Sequence, residues 1–284
     1  MNRNLRDSFY LLWIIAIFLC AFAVLFAVLF VSCTRAPASE TVEEVPLTVQ
    51  GDTGNEAASA EIEATPVPTE TPEPTPEPGP TILEETENMG QEYVDRCVFL
   101  GDSTTYGFGA YGVLPWTQIW TPASGTMTLS DQSYSQIDYY NEDGSVESML
   151  IRDAVARRQP DILIVTMGVN GLSFMEEDEF KREYIDLVQT IQQASPETKI
   201  ILQSIYPVID YDAPEGINNA GVNMANQWVL AVAEQTGVRY LNTHDALMDE
   251  NGELRYEYCN GDGVHLDTPG FEAVLNSVRT HGYR

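Results

Sequence analysis

Apolar residues fall along this chain in three different rhythms. From Phe9 to Ser32 they run together without a charge. These 24 residues, at about 1.5 Å each, would make a helix of roughly 36 Å, enough for a bilayer core of roughly 30 Å. From 36 to about 88 apolar residues thin out. Beyond that they return in short runs and helical spacings. Cys97-Val98-Phe99-Leu100, Ile162-Leu163-Ile164-Val165 and Ile200-Ile201-Leu202 are runs rich in β-branched residues. Unbroken runs of this kind predict strands covered on both faces, as in a parallel sheet. Between and after them, Phe180, Tyr184, Leu187, Val188 and Ile191 recur on one helical face. So do Val222, Ala225, Val229 and Val232, and then Phe271, Val274, Leu275 and Val278. Strand alternating with helix predicts an α/β domain: a three-layer α/β/α sandwich around a central parallel sheet.

The chain therefore divides into three parts. Residues 1–35 hold a short cytoplasmic N-terminus and a transmembrane anchor, residues 36–88 a linker, and residues 89–284 the folded domain. Arg3 and Arg6 precede the apolar run, and acidic sequence follows Arg35, which places the later parts outside the membrane. Two other readings stay open. One is a cleaved secretory signal, whose apolar region would be shorter, about 7–15 residues. The other is lipidation at Cys33, because Val31-Ser32-Cys33 resembles the end of a lipobox. All three export the domain. In the linker, Pro66, Pro68, Pro72, Pro74, Pro76, Pro78 and Pro80 alternate mainly with Thr and Glu. That composition cannot build a core and favours an extended, disordered spacer. A soluble domain is then expected from a chain starting near Glu87.

Charge narrows the partners. The net charge is −29, from 43 acidic and 14 basic residues. Nucleic acid is disfavoured as a partner, since phosphate binding needs a basic face. Docking onto anionic lipid by charge is equally disfavoured. Of the four cysteines, only Cys97 and Cys259 fall in the domain. They read as two partly buried thiols, with a disulfide between them as the alternative. The three histidines, His244, His265 and His281, are scattered and have no ligand spacing, so neither a metal nor a cofactor is expected.

Chemistry belongs beyond the carboxyl ends of the strands. Gly101-Asp102-Ser103-Thr104 follows the first run, and Gly168-Val169-Asn170-Gly171 follows the second. Asp262-Gly263-Val264-His265 precedes the last helix. A serine needs a base to take its proton, and a histidine does this near neutral pH. Asp262, three residues before His265, can hold the imidazole by its other nitrogen. The Ser103 backbone N–H and the Asn170 amide can donate to an oxyanion. His244 also follows a strand but lacks an acid at that offset.

These blocks resemble those of the SGNH/GDSL hydrolase superfamily, across roughly residues 95–284. Leu100-Gly101-Asp102-Ser103 is similar to the first block, Gly168-Val169-Asn170 to the third and Asp262-Gly263-Val264-His265 to the fifth. The resemblance implies a triad of Ser103, Asp262 and His265. It implies an oxyanion hole of Ser103, Asn170 and a second-block glycine, assigned to Gly125 in Ala123-Ser124-Gly125-Thr126. Two positions depart from the family pattern: Gly171, where an aspartate is common, and Thr104, where a leucine is common. Neither removes a reacting atom. The implied activity is hydrolysis of acyl esters, with acetylated cell-wall or extracellular carbohydrate expected for an exported domain. The alternatives are an acyltransferase of the same fold and a catalytically silent carbohydrate-binding module. Trp116, Trp120, Tyr106, Tyr111, Tyr139 and Tyr140 follow the serine and are read either as a sugar or acyl surface or as ordinary packing.

Overall fold

The structure is a computed structural model and describes residues 80–283. The apolar run Phe9–Ser32, Cys33 and most of the proline tract lie outside the described residues. Among the described residues no helix is long and apolar enough to cross a membrane.

The three apolar runs form β1 (Cys97–Gly101), β5 (Ile162–Thr166) and β6 (Lys199–Gln203). With β2 (Ile119–Trp120) and β7 (Arg239–Leu241) they make a five-stranded parallel sheet of order β2-β1-β5-β6-β7. Successive strand side chains point to opposite faces. Val98, Leu100, Leu163, Val165, Ile200 and Leu202 enter one core with α3 (Ile151–Arg158), α4 (Glu177–Ala194) and α5 (Asn219–Thr236). Cys97, Phe99, Ile162, Ile164 and Ile201 enter the other, with α1 (Gly90–Asp95), α2 (Ser103–Ala110) and α7 (Thr268–Thr280). Two cores on one sheet explain why the runs carry no polar alternation. The predicted helix faces are the buried ones: Phe180, Tyr184, Leu187, Val188 and Ile191 on α4, and Phe271, Val274, Leu275 and Val278 on α7. A short helix, α6 (His244–Leu247), follows β7.

Two features differ from the sequence expectation. The stretch 111–150 forms β2 and an antiparallel hairpin, β3 (Gln136–Tyr140) with β4 (Val146–Leu150). β2 is only two residues long, and no residue of β4 is fully buried, so neither leaves a run or an alternation to read. Residues 80–88, assigned to the linker by composition, belong to the domain. Tyr240 N–H donates to the Thr81 carbonyl and Leu83 N–H to the Tyr240 carbonyl, both at 2.9 Å. Arg239 donates to the Pro80 carbonyl. Ile82 thereby forms a parallel bridge with Tyr240 on the open edge of the sheet. Thr86 and Met89 then donate to the carbonyls of Thr280 and Arg279 at the end of α7. Backbone pairing to an edge strand needs no apolar side chains, which is why the segment resembles a linker.

Cys97 and Cys259 are buried free thiols. Burial pushes the Cys97 thiol up to about 12. The Cys259 Sγ accepts backbone N–H groups from Gly261 and Gly263 at 3.4 and 3.3 Å.

Candidate active site

The strand order reverses direction at β1, so the carboxyl ends of β1 and β5 flank the crevice where such sheets bind ligands. β1 ends at Gly101, where a Cβ would lie 2.2 Å from Thr105 Oγ1 and 2.4 Å from the Thr166 carbonyl oxygen. Only a glycine lets strand and helix meet this closely. Asp102 then caps α2: its Oδ1 accepts from the Thr104 N–H (3.0 Å) and the Thr104 hydroxyl (2.8 Å). Ser103 opens the helix, where N–H groups have no acceptor within the helix and the dipole favours negative charge.

The loop between Cys259 and α7 carries the other two members. His265 Nε2 lies 2.8 Å from Ser103 Oγ, and its Nδ1 lies 2.7 Å from Asp262 Oδ2. The other Asp262 oxygen accepts the backbone N–H groups of Val264 (2.9 Å) and His265 (2.8 Å). Partial burial works against ionisation of Asp262, but these N–H groups and the imidazole outweigh it and hold its carboxyl below the usual range. An ionised Asp262 fixes the proton on Nδ1 and leaves Nε2 to accept from Ser103. The chain of two hydrogen bonds can therefore move the serine proton onto His265 while Asp262 stabilises the imidazolium.

Two of the three expected oxyanion donors, Asn170 and Gly125, have partners within the protein. Asn170 follows β5 in a short 3-10 turn, and its amide donates to Asp102 Oδ2 and to the Met127 carbonyl, both at 3.1 Å. Both hydrogens of the amide are thus engaged within the protein. Gly125 is buried beside Ser103 and Tyr106, but its N–H donates to the Pro122 carbonyl at 2.8 Å. The second-block role expected of Gly125 is corrected accordingly: the turn at 122–125 consumes the N–H that the role requires. His244 contacts Asp245 and is buried away from solvent, and His281 contacts Ser277 and Thr280. Among the described residues, no group of three or more His, Cys, Asp or Glu side chains could hold a metal ion.

Asp102 is the residue that sequence reasoning passed over. It is completely buried, and burial pushes its carboxyl up to about 6 against the pull of its Thr104 hydrogen bonds. The signal was present: an aspartate directly before a helix whose second residue is threonine is an N-cap. Its second task, holding the Asn170 amide, links positions 68 residues apart and leaves no local trace.

A model of the GDSL-like lipase/acylhydrolase family matches residues 99–273. The chain belongs to this family of ester-hydrolysing serine hydrolases. Similar solved structures include a GDSL-like lipase from Bacteroides thetaiotaomicron, 17% identical, covering 68% of this chain and 89% of that one at a TM-score of 0.49. A carbohydrate esterase of family 3 from Talaromyces cellulolyticus is 15% identical, covering 64% of this chain and 93% of that one, at 0.43. An acetyl xylan esterase is 18% identical, covering 64% and 96%, at 0.45. No curated protein matches the chain.

Proposed function

We propose that Ser103, His265 and Asp262 are the catalytic triad of an exported esterase that removes acetyl groups from cell-wall or extracellular carbohydrate. The observation that carries this reading is the imidazole of His265, held between Ser103 Oγ at 2.8 Å and Asp262 Oδ2 at 2.7 Å. His265 Nε2 takes the serine proton as Oγ attacks the ester carbonyl. The tetrahedral oxyanion faces the N–H of Ser103 at the start of α2, and an Asn170 hydrogen turned away from Met127 supplies a second donor. The imidazolium then returns its proton to the departing sugar oxygen. This leaves an acetyl-serine, which water attacks with His265 again as base.

The outward placement rests on the sequence. Arg3 and Arg6 before an uncharged run of spanning length favour an anchor with the domain outside, and Cys33 offers lipid attachment as the other route to the same face. An enzyme so placed meets acetylated polysaccharide as an abundant ester. Added protease should cut the proline tract in intact, wall-stripped cells and release an active fragment. Protection of the tract would reject the topology.

The Ser103→Ala variant tests the chemistry. It should fold with an unchanged melting temperature and lose at least three orders of magnitude in kcat on p-nitrophenyl acetate. A serine-directed phosphonate should label the wild type and not the variant. Residual activity within tenfold of wild type would reject Ser103 as nucleophile.

A further inference from the structure

The aromatic side chains that follow the nucleophile separate into two groups. Trp120 and Tyr139 are buried in the core, 1% and 8% exposed, and Tyr111 packs against Phe271. Tyr106, Trp116 and Tyr140 instead form a connected surface run. Ser103 and Tyr106 are three residues apart on α2 and so share a face of the helix. Gly125 lies against both of them and places no side chain over that face. The Tyr106 and Trp116 rings have centroids 5.1 Å apart, and the Trp116 and Tyr140 rings stack at 5.4 Å with 21° between their planes. Tyr106 is 37% exposed, and Trp116 and Tyr140 are half-buried, so part of each ring remains open to solvent.

Past Tyr140 the run opens into a groove of about 430 Å³ whose lining includes Asn141, Glu142 and Arg158. The groove is walled by amide, carboxylate and guanidinium groups. That chemistry repels an acyl chain and suits a ligand with many hydroxyls. The two arginines at the groove have partners in the protein: Arg157 pairs with Glu147 and Asn141, and Arg158 donates to the Thr117 carbonyl. With Glu142 alongside and a chain charge of −29, the groove favours a neutral ligand over an anionic one.

We infer that Tyr106, Trp116, Tyr140 and the groove beyond them form an extended binding track for a neutral polysaccharide chain, leading away from Ser103. Sugar rings present an apolar C–H face to the aromatic rings and hydroxyls to the polar wall, and three rings in succession exceed the length of one pyranose. The track deepens the esterase reading and rests on it for the role of Ser103: the chain is held on the aromatic run while one of its acetyl esters reaches Oγ.

The test uses the full protein with Ser103→Ala, so that ligand binds without turnover. Tryptophan fluorescence and calorimetry follow titration with xylohexaose, cellohexaose and chitohexaose. At least one neutral hexasaccharide should bind saturably, and Tyr140→Ala in that background should weaken it tenfold or more. Trp116→Phe, which keeps a ring in contact with Gly109, should weaken it less than Trp116→Ala. In the Ser103 enzyme, Tyr140→Ala should lower kcat/KM on acetylated hexasaccharide, through KM, at least tenfold more than on p-nitrophenyl acetate. No binding of any hexasaccharide, or equal losses on the two esters, would overturn the track. Hexasaccharide binding by a protein that hydrolyses no ester would instead support the track and reject the esterase.

Discussion

At the scale of single residues, the site holds one buried carboxylate, Asp102, beside the hydrogen-bonded Ser103, His265 and Asp262. Asp102 sits between Thr104 and Asn170, makes no ion pair among the described residues, and its carboxyl is pushed up to about 6 by burial. A raised folded-state value means that the native protein holds this proton more tightly than the unfolded chain does. The resulting stabilisation is complete below about pH 4, the ordinary aspartate range, and is lost as pH rises through about 6. Two units at about 1.4 kcal/mol each make that loss about 3 kcal/mol. The melting temperature of Asp102→Asn relative to wild type should therefore rise by several degrees between pH 4.5 and pH 7, as followed by circular dichroism. Parallel curves would show that the buried charge costs nothing. If Asn170 supplies the proposed second oxyanion donor, Asn170→Ala should lower kcat by about 10²–10³ with little change in KM, because that donation stabilises charge that develops only in the transition state. A change confined to KM would place Asn170 in ground-state binding. That Ser103, His265 and Asp262 come together was legible because a serine, a histidine and an acid three residues before it follow a strand or precede a helix in the sequence. The partners of Asn170 were not, because Met127 contributes only a carbonyl, which any residue supplies.

At the scale of elements, the loop from Cys259 to Asp267 sets the triad geometry. The Cys259 Sγ gathers the N–H groups of Gly261 and Gly263, Asn260 N–H donates to the His265 carbonyl, and Ile209 N–H donates to the Gly263 carbonyl. Gly263 has φ +81, and a Cβ there would stand 2.6 Å from the Ala213 nitrogen. Gly263→Ala must displace either the 212–213 backbone or the loop itself. It should reduce kcat on p-nitrophenyl acetate at least tenfold, with a melting temperature lowered by a few degrees. Full activity would show that the loop tolerates displacement. The central strands and the three long helices could be read from the sequence because burial on both sides of a sheet, or on one helical face, stamps a rhythm on it. The hairpin β3–β4 and the two-residue β2 could not. Tyr139 and Ile137 of β3 do alternate inward, but Val146, Glu147 and Ser148 of β4 are all exposed, so the pair lacks a shared pattern.

At the scale of the whole molecule, the boundary of the domain matters most. Because residues 80–83 pair with β7, a chain beginning at Glu87 strips an edge from the sheet and leaves the N–H and carbonyl of Tyr240 without these protein partners. At about 0.5–1.5 kcal/mol for each such bond, plus the apolar cover from Ile82 and Leu83, the loss is roughly 2–3 kcal/mol. A chain beginning at Pro80 should therefore melt several degrees above one beginning at Glu87, as measured by scanning calorimetry. Identical melting would mean that the pairing contributes nothing. The same segment also fixes a direction. It enters beside Arg239, at the amino end of β7, and Tyr283 finishes beside Lys199 and Arg239, at the amino ends of β6 and β7. Ser103 and Asn170 stand at the carboxyl ends of β1 and β5. A load applied through Pro80 thus acts on the end of the sheet opposite Ser103.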